Sequence, residues 1–565
     1  MPPGTKETES WSSCPIEIFE QIVVHLDGPS LLNLGKVDHL MNQVALKQLF
    51  EQSGVQGVQR GWIFAYSPND LPKEIVPALC IAFWISDHIH DMRFYMNPDV
   101  KQSFREIRGL TRFIEKLKYF GGLTIVFNGV DRWISRRARF TAFAITIPNN
   151  IWRAAFCSLL KAALLKKCEY VEIQGAHSLH HHFETDVTGY NEPLIRLDNQ
   201  PAKEWLEEEG TYEKEPEPST LIQSSGMTEV LTRWLKRGSS NGHSRQLFGT
   251  TKLVTPHASP PSLPPMGEPC LKQLLIRSPV PLLPLFLPTT LRILNIHAPT
   301  ITELALVDLQ IDEEIYIQRI TQLKFPGLRK FSYVYDISTK NAKPSLRTPE
   351  CILAFLQLNP SINTLHLYGF SPAVVLPYIS TPLLPRLKSL KAHPRVAAWI
   401  LCDPDWHAVL EALSLVSDKL EPRMPVELMP ALEAGSHYQH FDEALLSVAA
   451  LSRPVTLELI FRSGQGLLPW ITEHVNSRAQ SAITQLTHVT SLTLSLQRHI
   501  RLQSGLLSGL PKWIGLFPVL QHFELLEVPY GQDTVKNEKL YSAITRSCPR
   551  LETLRVCEMQ VFPGI

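Results

Sequence analysis

The chain has 565 residues, 44% of them hydrophobic and 9% aromatic, enough apolar material for several domains or one long stacked array. Its 55 Lys and Arg nearly balance 54 Asp and Glu, and a formal charge of +1 gives no electrostatic reason to expect nucleic acid or an anionic membrane as partner. The nine cysteines, an odd number with no Cys-x-x-Cys, argue for reduced thiols and against a zinc ribbon or a disulfide framework.

The N-terminal stretch MPPGTKETES has no apolar core of the secretory kind. The apolar run at residues 75–85 is too short to span a bilayer and contains Pro77. The expectation is an intracellular protein, in the cytoplasm or nucleus, with no membrane span.

Residues 14–50 carry the first organised pattern. Pro15 suits a first helical turn, and Glu17 there is favoured by the helix dipole. Ile18, Phe19, Ile22, Val23 and Leu26 recur at helical spacing. Asp27-Gly28-Pro29 stops that helix and opens a second with Leu31, Leu32 and Leu34. Val37, Leu40, Met41 and Val44 then mark a third. Three helices this short cannot bury all of this apolar surface among themselves.

The frame Cys14-Pro15-Ile16-Glu17-Ile18, then Leu26, Leu31-Leu32-Asn33-Leu34 and Val37, resembles an F-box. Cys14, Ser30 and Leu40 stand where that family usually has Leu, Asp and an aromatic. The resemblance implies a three-helix module that docks on a Skp-type adaptor and, through it, on a cullin. The adaptor-facing positions it implies are Pro15, Ile18, Ile22, Leu26, Leu31, Leu32, Leu34, Val37 and Leu40. An ordinary helical hairpin packed on the body of the protein is the alternative.

Between residues 56 and 206 the pattern reads as α/β. Trp62, Phe64, Phe83 and Trp84 predict buried elements behind the helical module. Residues 123–127, 143–147 and 170–173 read as strands, and 154–167 as a helix. Arg132, Arg136, Arg137 and Arg139 read as a solvated edge, and His177 with His180, His181 and His182 as a polar loop. No cysteine stands near those imidazoles to complete a structural metal site, and no metal is expected.

Residues 207–268 break the globular pattern. Glu207, Glu208, Glu209, Glu213, Glu215 and Glu217 make one part acidic, and ten prolines fall between Pro256 and Pro288. Proline removes a backbone donor and fixes φ, so this reads as a flexible insertion containing one short helix near residues 227–236. Ser259-Pro260 and Ser262 make a docking or phosphorylation tract the alternative.

From residue 269 onward a repeat emerges. L-x-x-L-x-L, with any large apolar residue allowed, occurs at Leu271-Leu274-Ile276, Leu291-Leu294-Ile296, Ile301-Leu304-Leu306 and Leu328-Phe331-Tyr333. It recurs at Ile362-Leu365-Leu367, Leu387-Leu390-Ala392, Leu410-Leu413-Leu415, Val489-Leu492-Leu494, Leu520-Phe523-Leu525 and Leu551-Leu554-Val556. The last two positions are two apart and share one side of a strand, with helical stretches such as 349–358, 443–451 and 541–547 between units. Stacked strand–helix units bury a core that no unit forms alone.

This resembles leucine-rich repeats, most closely at Cys548-Pro549-Arg550-Leu551. The starts are irregular, 10 to 34 residues apart up to Leu410, and the Asn that follows the strand in that family is replaced by Pro299, Phe370 and Val528. A single α/β domain whose strands share an apolar motif is the alternative. Outward positions, flanking the second apolar one, are Thr364, His366, Tyr368, Ser389, Lys391, His393, His522, Glu524, Thr553 and Arg555. Of these, His366, Tyr368, Lys391, His393, Glu524 and Arg555 are the candidate substrate contacts.

Motifs of phosphate binding and of zinc proteases are absent from the sequence. The one G-x-S-x-G, at residues 238–242, lacks the strand that a nucleophile elbow needs before it. The expected fold class is α/β: a three-helix F-box at 10–55, an α/β region at 56–206, the insertion at 207–268, and an irregular leucine-rich-repeat-like solenoid of short parallel strands and helices at 269–565. F-box plus solenoid implies a substrate receptor of a Skp–cullin–F-box ubiquitin ligase that takes an unknown protein substrate, uses no cofactor and makes no bond itself. A non-catalytic interaction scaffold is the rival.

Overall fold

Three helices open the described chain, each starting where local chemistry favours it. The computed structural model describes residues 15–65, 72–97, 100–127, 149–175, 268–309, 311, 313–335, 347–370, 375–407, 409–417, 431–451, 453–462, 466–496, 504–526, 534–556 and 559–561. Helix α1 (Ile16–Val23) follows Pro15 at its N-cap and holds Glu17 in its first turn. Helix α2 (Gly28–Leu34) is capped by Asp27, whose Oδ1 accepts the Ser30 N–H at 3.0 Å. Hydrogen bonds from Ser30, side chain then backbone, lower the Asp27 carboxyl pKa. Asp38 caps α3 (His39–Gln52) in the same way, through the Met41 N–H at 2.8 Å. The turn between α2 and α3 contains Gly35, where a Cβ would lie 2.6 Å from Leu46 Cδ2. Any larger residue there would require the buried Leu46 side chain to shift.

From α3 the chain runs into a sheet of sixteen strands among the described residues, nearly all in chain order. They are β1 (Val55–Gln56), β2 (Trp62–Ala65), β4 (Asp91–Tyr95), β6 (Gly122–Phe127), β7 (Tyr170–Gly175), β8 (Gln273–Arg277), β9 (Glu303–Val307) and β10 (Lys330–Val334). Then come β11 (Thr364–Tyr368), β12 (Ser389–Ala392), β13 (Ala412–Val416), β14 (Thr456–Phe461), β15 (Ser491–Leu496), β16 (His522–Leu526), β17 (Thr553–Val556) and β18 (Met559–Val561). Strands β3 (His88–Ile89) and β5 (Tyr119–Phe120) pair separately. Pairing is parallel from β2 to β17, and antiparallel only where β1 and β18 close the two edges. Edge strands that short offer little template to another chain.

The connections carry α4 (Ile75–Ile81), α5 (Val100–Lys116), α6 (Asn149–Leu165), α7 (Leu287–His297), α8 (Ile317–Ile320), α9 (Thr348–Leu358) and α10 (Pro394–Ile400). The last four helices are α11 (Ala431–Ala449), α12 (Leu467–Asn476), α13 (Ser504–Ile514) and α14 (Thr534–Ser547). The architecture is α/β with a large, mostly parallel sheet.

The register makes the apolar repeat into layers. Leu274, Leu304, Phe331, Leu365, Leu390, Leu413, Leu457, Leu492, Phe523 and Leu554 lie side by side on successive strands, all buried. A second buried row runs two residues further along. In the units of the apolar repeat the first position is buried in the turn below the strand, as at Ile301, Leu328 and Ile362. There, at most strand starts, two consecutive N–H groups share one carbonyl of the previous unit. Thr302 and Glu303 donate to Lys272 O, Arg329 and Lys330 to Thr302 O, and Asn363 and Thr364 to Arg329 O. This backbone staircase satisfies the strand starts with no side-chain ladder.

Three readings are corrected. Leu291-Leu294-Ile296 lies in helix α7, not in a strand, because Pro288 opens a helix whose buried residues Leu287, Thr290, Leu294 and His297 follow helical spacing. With that unit removed, Leu271 and Ile301 become successive starts 30 residues apart, which accounts for the two short intervals. Strand β14 went unpredicted because Pro454 occupies its first apolar position, although Leu457 and Leu459 are buried. Trp62, Phe64 and Phe83 are exposed rather than buried; for the first two, alternation along β2 turns Ile63 and Ala65 inward instead.

The expected strand at 143–147, the Arg and His clusters at 132–139 and 177–182, the G-x-S-x-G and the insertion up to 267 lie outside the described residues. Among the described residues no helix is long and apolar enough to cross a membrane.

Candidate protein-interaction surfaces

Helix α1 carries two apolar stripes. Phe19 and Val23, one turn apart, are buried against the rest of the chain. Ile18 and Ile22, also one turn apart, remain 45% and 46% exposed. A surface helix normally needs one apolar stripe for its own core. Ile16, Val24, Val37 and Leu40 are exposed as well, Val37 at 69%. Gln52 Nε2 donates to Val24 O at 3.3 Å, tying α3 to the end of α1.

The other predicted adaptor positions divide. Pro15 is exposed. Leu26, Leu32 and Leu34 are partly buried and pack against the core. Leu31 is a correction: at 0% exposure it belongs to the interior, because α2 turns that side chain toward the core it shares with Leu46 and Leu49. Ile16, Val24 and Phe83, which were not among the expected positions, are exposed apolar residues too. The first two fit a wider apolar helix face, but Phe83 sits far along the chain and reaches this region by packing edge-on to His39, ring centroids 4.4 Å apart.

The helices are joined firmly to the sheet. Buried Asn42 on α3 donates to Gly35 O at 2.6 Å and to Ile81 O, just after α4's buried face, at 3.2 Å. Phe50 meets Trp84 edge-on at 5.9 Å. Val44, Leu49 and Phe50 belong to the same continuous core as Ile75 and Leu79.

The outward face of the sheet is polar. Register aligns Ser332, His366, Lys391, Ser414, Glu458, Thr493, Glu524 and Arg555 in one row across eight strands. Four of the predicted substrate contacts therefore share one line. Burial first, then the Lys330 and Lys391 charges, lower the His366 pKa, which favours the neutral ring. Its Nδ1 lies 3.3 Å from Ser332 Oγ. Lys391 reaches Glu458 at 3.9 Å, and Ser414 donates to that same carboxylate at 2.5 Å. Tyr368, two residues past His366, lies under the Arg462 guanidinium, 4.8 Å from ring centroid to Cζ. His393 is a correction. It follows the end of β12 and serves as N-cap of α10, its Nδ1 accepting the Arg395 N–H at 3.3 Å.

A Ser–His–Asp arrangement, invisible in the sequence, lies elsewhere. His474 Nδ1 is 2.8 Å from Ser481 Oγ and its Nε2 is 2.9 Å from Asp442 Oδ1. Ser481 is only 3% exposed, and its Oγ accepts the Ile483 N–H at 3.3 Å. A nucleophile must meet its substrate, and this hydroxyl is enclosed and engaged in capping. Trp470 Nε1 also donates to Asp442 Oδ1, at 3.1 Å. The group clasps α11, α12 and the following turn together.

No family model matches the chain, and no curated protein matches its sequence.

Proposed function

We propose that this chain is the substrate-recognition subunit of a Skp–cullin–F-box ubiquitin ligase. In this reading residues 10–55 form the F-box, and the sheet with its helices is an irregular leucine-rich-repeat-like solenoid. The observation that carries it is the second apolar stripe of α1, Ile18 and Ile22, exposed beside Val37 and Leu40 in a segment with the F-box frame. Fully burying one such side chain is worth about 1.5–3 kcal/mol, so four half-covered ones hold several kcal/mol for a partner. A Skp-type adaptor, bringing a cullin, is the partner that frame implies.

The polar row from His366 to Arg555 is the candidate site for a protein substrate. The chain would catalyse nothing itself; it would raise the concentration of substrate lysines near a conjugating enzyme. The shared core of α3 and α4 supports this role, because a rigid joint fixes the distance between the two surfaces. The reading places the protein in the cytoplasm or nucleus.

Co-purification with a Skp-type adaptor is the test. An adaptor that binds wild type but not an Ile22→Asp, Val37→Asp double variant supports the assignment. Absence of any complex with wild type leaves the rival, an interaction scaffold outside any ligase.

A further inference from the structure

The connection from β11 to β12 is unlike its neighbours, for its described residues 375–388 contain no helix. Pro377, Pro382 and Pro385 remove backbone donors, and the segment bends at Thr381 and turns at Pro385-Arg386. It is fastened at both ends. Trp399 Nε1 donates to Pro377 O at 2.6 Å, and Ile379, Leu383 and Leu384 are buried. Between these anchors Ser380, Thr381 and Pro382 are exposed.

Three Ser/Thr-Pro pairs lie among the described residues, and burial separates them. Ser278, before Pro279, is 0% exposed and its Oγ accepts the Val280 N–H at 3.4 Å. Thr348, before Pro349, is 1% exposed and donates to Glu313. Thr381 alone of the three presents its hydroxyl to solvent, and that hydroxyl has no hydrogen-bond partner among the described residues. Thr381 lies at a bend between the buried Ile379 and Leu383, and the proline that follows restricts its backbone.

We propose that Thr381 is a phosphorylation site for a proline-directed Ser/Thr kinase. In the step, Thr381 Oγ attacks the γ-phosphorus of ATP, the bond to the β,γ-bridging oxygen breaks, ADP leaves, and the hydroxyl proton passes to the kinase's base. The product adds a charge of about −1.5 to −2 and three acceptor oxygens. It does so on the connection between the strands that carry His366 and Lys391. This inference stands on the exposure of Thr381 and is independent of the ligase reading.

The experiment treats the full-length folded chain with a proline-directed kinase and ATP and maps phosphate by peptide mass spectrometry. A urea-denatured sample and the Thr381→Ala and Pro382→Ala variants run alongside. Expected is phosphate on Thr381 in the folded protein, its loss in both variants, and none on Ser278 or Thr348 until the chain is denatured. Phosphate on Thr381 only after denaturation, or in neither sample, overturns the proposal. Persistence of Thr381 phosphorylation in Pro382→Ala overturns the proline-directed class.

Discussion

The side-chain amide of Asn42 reaches the carbonyl of Ile81 at 3.2 Å, which joins the third helix to the end of the fourth inside one core. The same nitrogen donates to Gly35 O at 2.6 Å, so one residue closes the helical module and fastens it to the body. Asn42→Ala leaves both carbonyls short of a buried partner and should destabilise the protein by about 1–3 kcal/mol. Denaturant unfolding measures this, and a loss below about 0.5 kcal/mol would show the bridge to be incidental.

The same coupling bears on dissection. Leu49 and Phe50 are buried in a core that includes Ile75 and Leu79, with Trp84 packed against it. A fragment of residues 1–55 exposes that surface and should not unfold cooperatively by circular dichroism. A sharp thermal transition in the fragment would refute the coupling.

Leu31 and Val37 should behave oppositely when changed to Asp. Leu31 is 0% exposed, so its carboxylate would be buried without a partner at a cost of about 3–5 kcal/mol. Val37 is 69% exposed, and its replacement should alter stability by less than about 0.5 kcal/mol while weakening adaptor capture. Thermal melting and adaptor pull-down on both variants distinguish folding from docking. Full capture by the Val37 variant removes that residue from the docking face.

On the sheet, Lys391→Ala gives up only a 3.9 Å ion pair and should melt like the wild type. Combined with Tyr368→Ala it should release substrate proteins, read by quantitative affinity purification, while the adaptor stays bound. An identical captured set would move the substrate site off this row.

Acid should loosen the fold through its buried imidazoles. His297 is 0% exposed and its Nδ1 accepts the N–H groups of Cys270 and Leu271 at 3.1 and 3.3 Å, a task for the neutral ring. Burial lowers its pKa below the ordinary 6.5, and burial does the same for His407. Below 6.5 the unfolded chain therefore binds protons that the folded chain resists. The stability is fully present above that pH and declines as pH falls from there toward the depressed folded value. One pH unit of depression in one group is about 1.4 kcal/mol. Melting temperature should fall as pH drops through this window, and His297→Gln, which keeps an acceptor, should flatten the decline. An unchanged slope in that variant assigns the pH dependence elsewhere.

Strand positions were legible because the period of two is local: Leu365 and Leu367, or Leu554 and Val556, must share a face once the segment is extended. The row of His366, Lys391, Glu524 and Arg555 follows from the same rule applied strand by strand. Where helix and strand patterns overlap, local reading failed. Leu291-Leu294-Ile296 satisfies both, and Pro288 with the packing of α7 chose helix.

The sequence by itself determined which residues are apolar at which period, where Asp27 starts a helix, and hence an α/β chain with a helical cluster in front. Tertiary structure alone decided which of those apolar residues are spent inside. Ile18 and Phe19 are adjacent and equally apolar, yet one is exposed and the other buried, because α3 covers only one stripe of α1. It also decided that His474, Ser481 and Asp442 close into a buried clasp, since their contact depends on how three helical segments pack. Local pattern sets a side chain's direction from its own backbone; exposure depends on what lies in that direction, and only the fold supplies the neighbour.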